Sequence, residues 1–187
     1  TFYKMSGLPE NRIIGSGTIL DTARLRSRLS EYYNINQSNV HAYVFGEHGD
    51  SSFIPWSVAN ISNVPIKECK KLITTPGINT PELDFGEIEQ YVRKSGARVI
   101  ARKGATFYAV SVSVCHICKC LLCGIDTTMT VSTMMHGEYG IEDVALSTLN
   151  MVGHYGVRGK VNVPMTDEEV MLLRKSADTL KDVISNL

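Results

Sequence analysis

Long runs of like charge are missing from this 187-residue chain: 19 lysines and arginines balance 19 aspartates and glutamates, for a formal net charge of zero. Without a basic run or an RNA-binding motif there is no electrostatic footprint for a phosphate backbone, which argues against nucleic acid as a partner. The stretch Thr1-Phe2-Tyr3-Lys4-Met5 has neither a basic segment nor a long apolar one, so no secretory signal is read there. Cysteines are few and odd in number: there are five, and four of them crowd into one segment. That is not the pattern of a secreted disulfide framework, and a reducing cytoplasm is the expected compartment. Internal repeats, low-complexity tracts and an obvious linker are absent too, so residues 1–187 are read as one unit with a sizeable core.

A true membrane-spanning run is also lacking. Phe107 to Ile125 is apolar enough to draw attention, but Phe107, Val110, Val114, Ile117, Leu121 and Ile125 step by three or four. Ser111, His116 and Lys119 lie off that stripe. The spacing predicts an amphipathic helix with a wide buried face, not a span.

Gly15-Ser16-Gly17, entered from Ile13-Ile14 and followed by a helical pattern, has the outline of a dinucleotide-binding turn. Its third glycine position is Leu20, however, and Ile35 to Ser38 holds no acidic residue for a ribose. The glycines are therefore read as a tight turn that lets a helix start. That helix is predicted from Leu20 to about Tyr33, with Leu25, Leu29 and Tyr32 on one face. Asn39 to Phe45 is rich in β-formers and reads as a strand, and Ser57 to Ile61 as a weaker one. Glu82 to Lys103 predicts a long helix with a possible interruption at Gly96, and Gly104 separates it from the apolar helix beginning near Thr106. Thr128 to Met135 and Leu146 to Val152 are strand-like, with Gly156 to Val163 as a partner for the second. Thr166-Asp167-Glu168-Glu169 is a capping box that opens a last helix, with Val170, Leu173, Ala177, Leu180 and Ile184 on its apolar face. Helices and strands do not alternate strictly, which points to a mixed α+β unit.

The chemistry concentrates in Gly46-Glu47-His48-Gly49-Asp50-Ser51, the loop after the predicted strand. Glycines allow a small substrate close approach, and a histidine titrates near neutrality, as proton transfer at cellular pH requires. A lone histidine is more often structural; this one has two complementary groups upstream. Asp21 and Arg24 are three apart on a predicted helix and so share a face. Alone they would be a surface ion pair worth little. Together with His48, Asp21 could orient and charge-stabilise the imidazole, while Arg24 could grip a carboxylate with two parallel hydrogen bonds. That is a site for an anionic hydroxy or keto acid.

Leu20-Asp21-Thr22-Ala23-Arg24, the Gly-Glu-His-Gly-Asp loop and the spacing between them closely resemble the catalytic half of the L-lactate dehydrogenases, in the lactate/malate dehydrogenase family. The likeness extends through Ser6-Gly7-Leu8-Pro9, Gly15-Ser16-Gly17-Thr18, Pro55-Trp56-Ser57, Lys103-Gly104-Ala105-Thr106 and Val131-Ser132-Thr133, and so covers most of the chain. The resemblance implies antiparallel sheets packed with long helices, NAD as cofactor, a small 2-hydroxy or 2-keto acid as substrate, and a homotetramer. It makes His48 the proton donor and acceptor, Asp21 its partner and Arg24 the binder of the substrate carboxylate. Thr106 would line the substrate site, and Val110, one turn on, would lie against the nicotinamide ring. In bacterial members activated by fructose 1,6-bisphosphate, a basic residue two after the substrate arginine and a histidine seven before the catalytic one bind the effector. Arg26 and His41 stand at those positions.

The family's first half, with its Rossmann fingerprint and mobile substrate loop, has no counterpart here, so a fragment inactive by itself is expected. Malate or branched 2-hydroxy-acid dehydrogenase, and a non-catalytic anion-binding or oligomerisation module, stand as alternatives. No metal is expected. Cys115, Cys118, Cys120 and Cys123, with His116 among them, spread around more than half of a helix at about 100° per residue and cannot converge on one ion. They read instead as small core thiols and incidental surface cysteines.

Overall fold

In the computed structural model, which describes residues 2–72 and 82–186, the Gly15-Ser16-Gly17 segment is the predicted turn and also a docking point. It follows a short helix, α1 (Phe2–Ser6). Gly15 bridges Ser132 in antiparallel fashion. Gly17 has φ +52, and a Cβ added there would lie 2.4 Å from Ser147 Oγ and 2.8 Å from the Ser132 nitrogen. Only glycine adopts this left-handed backbone freely and tolerates so close an approach. The chain then enters α2 (Ile19–Tyr33), which buries Leu25 and Leu29 completely and ends at Asn34 in the left-handed conformation.

The predicted strand over Asn39 to Phe45 is much shorter than its composition suggests. Its only strand is β1 (Val40–His41), which pairs with β2 (Asn60–Ile61), itself paired with β3 (Val64–Pro65) in a small antiparallel sheet, while Phe45 forms a separate antiparallel bridge with Phe53. The reason lies at Val44. Its N–H donates to Thr22 Oγ1 at 2.9 Å and its carbonyl accepts from Thr18 Oγ1 at 2.5 Å. The side chains of Thr18, just before α2, and Thr22, near its start, thus occupy the groups a neighbouring strand would have used. Thr18 stands where a helix cap would be, yet caps nothing, because its hydroxyl is committed to Val44.

After α3 (Cys69–Leu72) come α4 (Phe85–Lys103) and α5 (Tyr108–Leu122). Asp84 caps α4 by accepting from the Glu87 N–H, Gly104 ends it at φ 76, and Gly96 does not interrupt it. Among the described residues no helix is long and apolar enough to cross a membrane. The wide buried face expected of α5 is not formed. Ile117 is buried and Leu121 half-buried, but Phe107, Val110, Val114 and Ile125 are 51, 39, 43 and 81% exposed. Ile117 packs beside Ile19 of α2 and the sheet residues Met129, Val131 and Val152. No described element covers the rest of the stripe, and Ile125 lies beyond the helix end.

The larger sheet is antiparallel in the order β4 (Thr127–His136), β5 (Glu142–Gly153) and β6 (Gly156–Lys160), with Val131 opposite Thr148. The last helix, α6 (Asp167–Ser185), starts at the predicted capping box, with both reciprocal bonds between Thr166 and Glu169 present. Leu173 and Ala177 face the core, and Val170 and Leu180 are half-buried. Ile184, expected on the same face, is 55% exposed. The fold is α+β with antiparallel sheets and long helices. Its core divides into one cluster of α2, β1–β3 and α4, one of α6 against β5 and the segment near Phe45, and one of α2, α5 and the large sheet.

Thr22 Oγ1 also accepts from Thr130 Oγ1 at 2.9 Å, inside the protein. Thr22→Val keeps the shape but leaves the Val44 N–H and the Thr130 hydroxyl without their acceptor. A loss of about 1–3 kcal/mol of stability is expected, with little change in the denaturant slope, measurable by urea unfolding.

Candidate active site

Three of the residues picked out in sequence come together around one carboxylate. Asp21, 7% exposed, lies in the first turn of α2. Its Oδ2 is 2.6 Å from His48 Nδ1, and its Oδ1 accepts from Arg24 Nη1 at 3.1 Å. Arg24 reaches back by one helical turn, and its side chain is 16% exposed. A buried carboxylate needs compensation of this kind, and here a guanidinium and an imidazole supply it from opposite oxygens.

The His48 side chain is 61% exposed, and its Nε2 makes no hydrogen bond among the described residues. With Nδ1–H directed at Asp21, Nε2 is left to face a small molecule. The hydrogen bond to Asp21 raises the His48 pKa above its ordinary 6.5; partial burial and the Arg24 charge oppose this, and the Asp21 and Glu47 charges add to it. The protonated imidazole is thus favoured in the folded state. An imidazole held this way can give a proton from Nε2, with the Asp21 carboxylate beside it to stabilise its charged form.

The loop bearing His48 is held from two sides. Gly46 forms a two-way bridge with Ser147 of β5: its N–H donates at 2.9 Å and its carbonyl accepts at 3.2 Å. On the other side, the Glu47 N–H donates to Ser176 Oγ of α6 at 2.8 Å. Further along, Glu169 of α6 accepts the Ser57 N–H at 2.9 Å and the Thr166 N–H at 3.1 Å, so the residue that caps the helix also anchors the chain downstream of His48.

The other candidates are placed less closely. Thr106 is half-buried in the connection between α4 and α5, and Val110 is exposed in the first turns of α5, which packs on α2. Arg26 donates to the Gln37 carbonyl at 3.2 Å, in the turn that leads into β1, and its buried Nε has no partner. His41 is exposed on β1, opposite Asn60. No hydrogen bond joins Arg26 to His41. Cys69 is buried, Cys120 half-buried, and Cys115, Cys118 and Cys123 are exposed, so the α5 thiols are mostly surface groups and not core ones. Among the described residues no group of three or more His, Cys, Asp or Glu is placed to hold a metal ion.

Sequence reasoning passed over Thr18, Thr22, Glu47, Ser51 and Ser176. Three of these carried a signal. Thr18 and Thr22 are four apart beside the apolar face of α2, and Ser176 is a polar residue between Leu173 and Ala177 on the buried face of α6.

Comparison with known proteins identifies the family to which this fold belongs. Residues 18–187 match the lactate/malate dehydrogenase, alpha/beta C-terminal domain family. The chain belongs to that family. The L-lactate dehydrogenase of Acetivibrio thermocellus is 42% identical over 189 residues, an alignment spanning 99% of this chain and 57% of the relative. The L-lactate dehydrogenase of Thermoanaerobacterium saccharolyticum is also 42% identical, over 99% of this chain and 58% of its own length. Among solved structures, the minor L-lactate dehydrogenase from Enterococcus mundtii in its ligands-bound form superposes with a TM-score of 0.91 at 31% identity, covering 99% of this chain and 58% of that one. The chain thus spans somewhat over half the length of the relatives it matches.

Because the folded-state pKa of His48 is raised, its ion pair with Asp21 stabilises the fold fully below about 6.5, and that contribution is lost as pH rises through the raised value. Asp21→Asn is expected to bring the imidazole midpoint down toward 6.5. It should also flatten the pH dependence of stability in that interval. Histidine NMR titration together with unfolding at several pH values checks both.

Proposed function

We propose that this chain is the substrate-binding and catalytic unit of an NAD-dependent L-lactate dehydrogenase that interconverts pyruvate and L-lactate. The single observation behind this reading is the division of Asp21 between His48 and Arg24: the same carboxylate orients a proton carrier and a carboxylate binder. Relatives of about 40% identity that carry the name L-lactate dehydrogenase favour lactate as the hydroxy acid.

In this reading Arg24 presents the free part of its guanidinium fork to the substrate carboxylate, a planar two-bond contact that fixes the acid's orientation. His48 Nε2 hydrogen-bonds the C2 oxygen and gives it a proton during ketone reduction, taking it back during alcohol oxidation. Asp21 stabilises the imidazolium and holds the ring by Nδ1. Thr106 lines the pocket beside them. The nicotinamide cofactor, when bound, supplies or accepts the hydride at C2. Val110, apolar and 39% exposed on α5, fits the flat face of that ring, while the adenine and phosphates fall to a further nucleotide-binding unit. A homotetramer in a reducing cytoplasm completes the proposal; the exposed free thiols Cys115, Cys118 and Cys123 suit such a compartment.

In a polypeptide that joins this chain to the cofactor-binding half of a relative, His48→Ala should lower pyruvate turnover by about 10²–10⁴-fold. Arg24→Lys should weaken pyruvate binding far more than NADH binding, because an ammonium cannot make the bidentate contact. Near-normal turnover without His48 would remove it from the mechanism.

The proposal extends to Arg26 and His41 as binders of fructose 1,6-bisphosphate. Arg26 is tied to the turn that delivers β1 and His41, and its Nε is without a partner. Activation of the joined enzyme by the bisphosphate is expected, and is expected to accompany subunit association. Turnover and sedimentation with and without the effector measure this. A response intact in Arg26→Gln with His41→Gln would place the effector elsewhere.

A further inference from the structure

Behind His48 three hydrogen bonds close a ring. The Glu47 N–H donates to Ser176 Oγ at 2.8 Å, Ser176 Oγ lies 2.9 Å from Ser51 Oγ, and Ser51 Oγ donates to the Glu47 carboxylate. The direction of each bond follows from chemistry. An amide N–H only donates and an ionised carboxylate only accepts. Ser51 has one proton and directs it to Glu47, so the proton between the two hydroxyls belongs to Ser176. Every donor and acceptor in the ring is used once, head to tail, an arrangement in which neighbouring bonds strengthen one another.

Ser176 is the ring's only member outside the loop. It sits on α6, 0% exposed, with Leu173 and Ala177 on the same buried face. The loop has been shaped to receive it. Gly46 has φ +96, and a Cβ there would come within 2.6 Å of Ser176 Oγ. A hydroxyl in such a place is unfavourable unless it is bonded, and alanine would fill the packing role without that penalty. What the hydroxyl adds is a fixed orientation of the Gly46–Glu47 peptide, one residue before His48.

We propose that Ser176 is a positioning residue for His48: through the ring it holds the backbone and side chain of Glu47, the residue before His48, so that the imidazole meets the Asp21 carboxylate. The inference rests on reading His48 as the proton carrier. A displacement of about 1 Å in a catalytic group costs about 10²-fold in rate, so a loosened loop matters even though Ser176 touches no substrate. The charged groups that bear on the imidazole are Asp21 and Arg24 from α2 and Glu47 beside it in the loop. Of these only Glu47 belongs to the ring, and Arg24 is held by Asp21 independently of α6.

The test pairs Ser176→Ala with Ser51→Ala, which opens the same ring from its half-buried side. In ¹⁵N-histidine-labelled full-length protein, with the His48 resonance assigned by its loss in His48→Gln, both variants should lower the His48 titration midpoint. They should also lower kcat for pyruvate by about tenfold or more, with KM for pyruvate within about threefold because Arg24 is undisturbed. An unchanged midpoint in folded Ser176→Ala overturns the proposal, whether or not turnover falls. So does a fall in turnover that only tracks the loss of folded protein. If Ser176→Ala does not fold, Ser51→Ala decides by the same two readouts. Absence of pyruvate turnover in the parent protein would defeat the dehydrogenase reading, while the titration arm would still judge the ring by itself.

Discussion

A single buried carboxylate organises this protein's site. Asp21 divides its two oxygens between His48 and Arg24, and removing it from water is tolerable only because both partners are in place. The arrangement works only if the first turn of α2 and the loop after β1 keep a fixed separation. Those segments are more than twenty residues apart in the chain, so much of the surrounding architecture can be understood as a means of holding them together.

The hold is polar and buried. Thr18 and Thr22 grip both backbone groups of Val44, four residues before His48, and Thr130 ties Thr22 to the large sheet. Gly17 brings the start of α2 onto Ser132 and Ser147 of that sheet, and Gly46 brings the loop onto Ser147 as well. Helix α2 and the loop are therefore referenced to the same strand. The third side is α6, whose Glu169 and Ser176 hold the chain on either side of the loop. Each of these groups would be unfavourable if left unpaired inside, so the network stabilises one arrangement over near alternatives.

Elements with a local cause were legible in advance. The helix α2, the cap at Thr166, the break at Gly104 and the hairpin partners in the large sheet each follow from residues within a few positions of one another. The Asp21-to-Arg24 spacing was legible for the same reason, since residues three apart on a helix are neighbours. Where a distant group competed, local reasoning failed. The β-rich composition of Asn39 to Phe45 predicts a full strand, but the Thr18 and Thr22 hydroxyls take both backbone groups of Val44 and leave only Val40–His41 and a single bridge at Phe45. The apolar stripe of α5 predicts burial, and only the part near Ile117 finds a covering surface.

The sequence by itself determined the family, most of the element types and the choice of His48, Asp21 and Arg24 as the candidate site, because spacing and side-chain chemistry are local properties. Tertiary structure alone decided that the Asp21 carboxylate, beside Arg24 on the helix, also reaches His48, that Val44 is held by hydroxyls instead of a strand, and that Ser176 closes a ring behind His48. Those are facts about which polar groups meet once the apolar clusters have packed. Hydrogen bonds act over about 3 Å, so no pattern along the chain can specify a pairing between residues 129 positions apart before the fold brings them within reach.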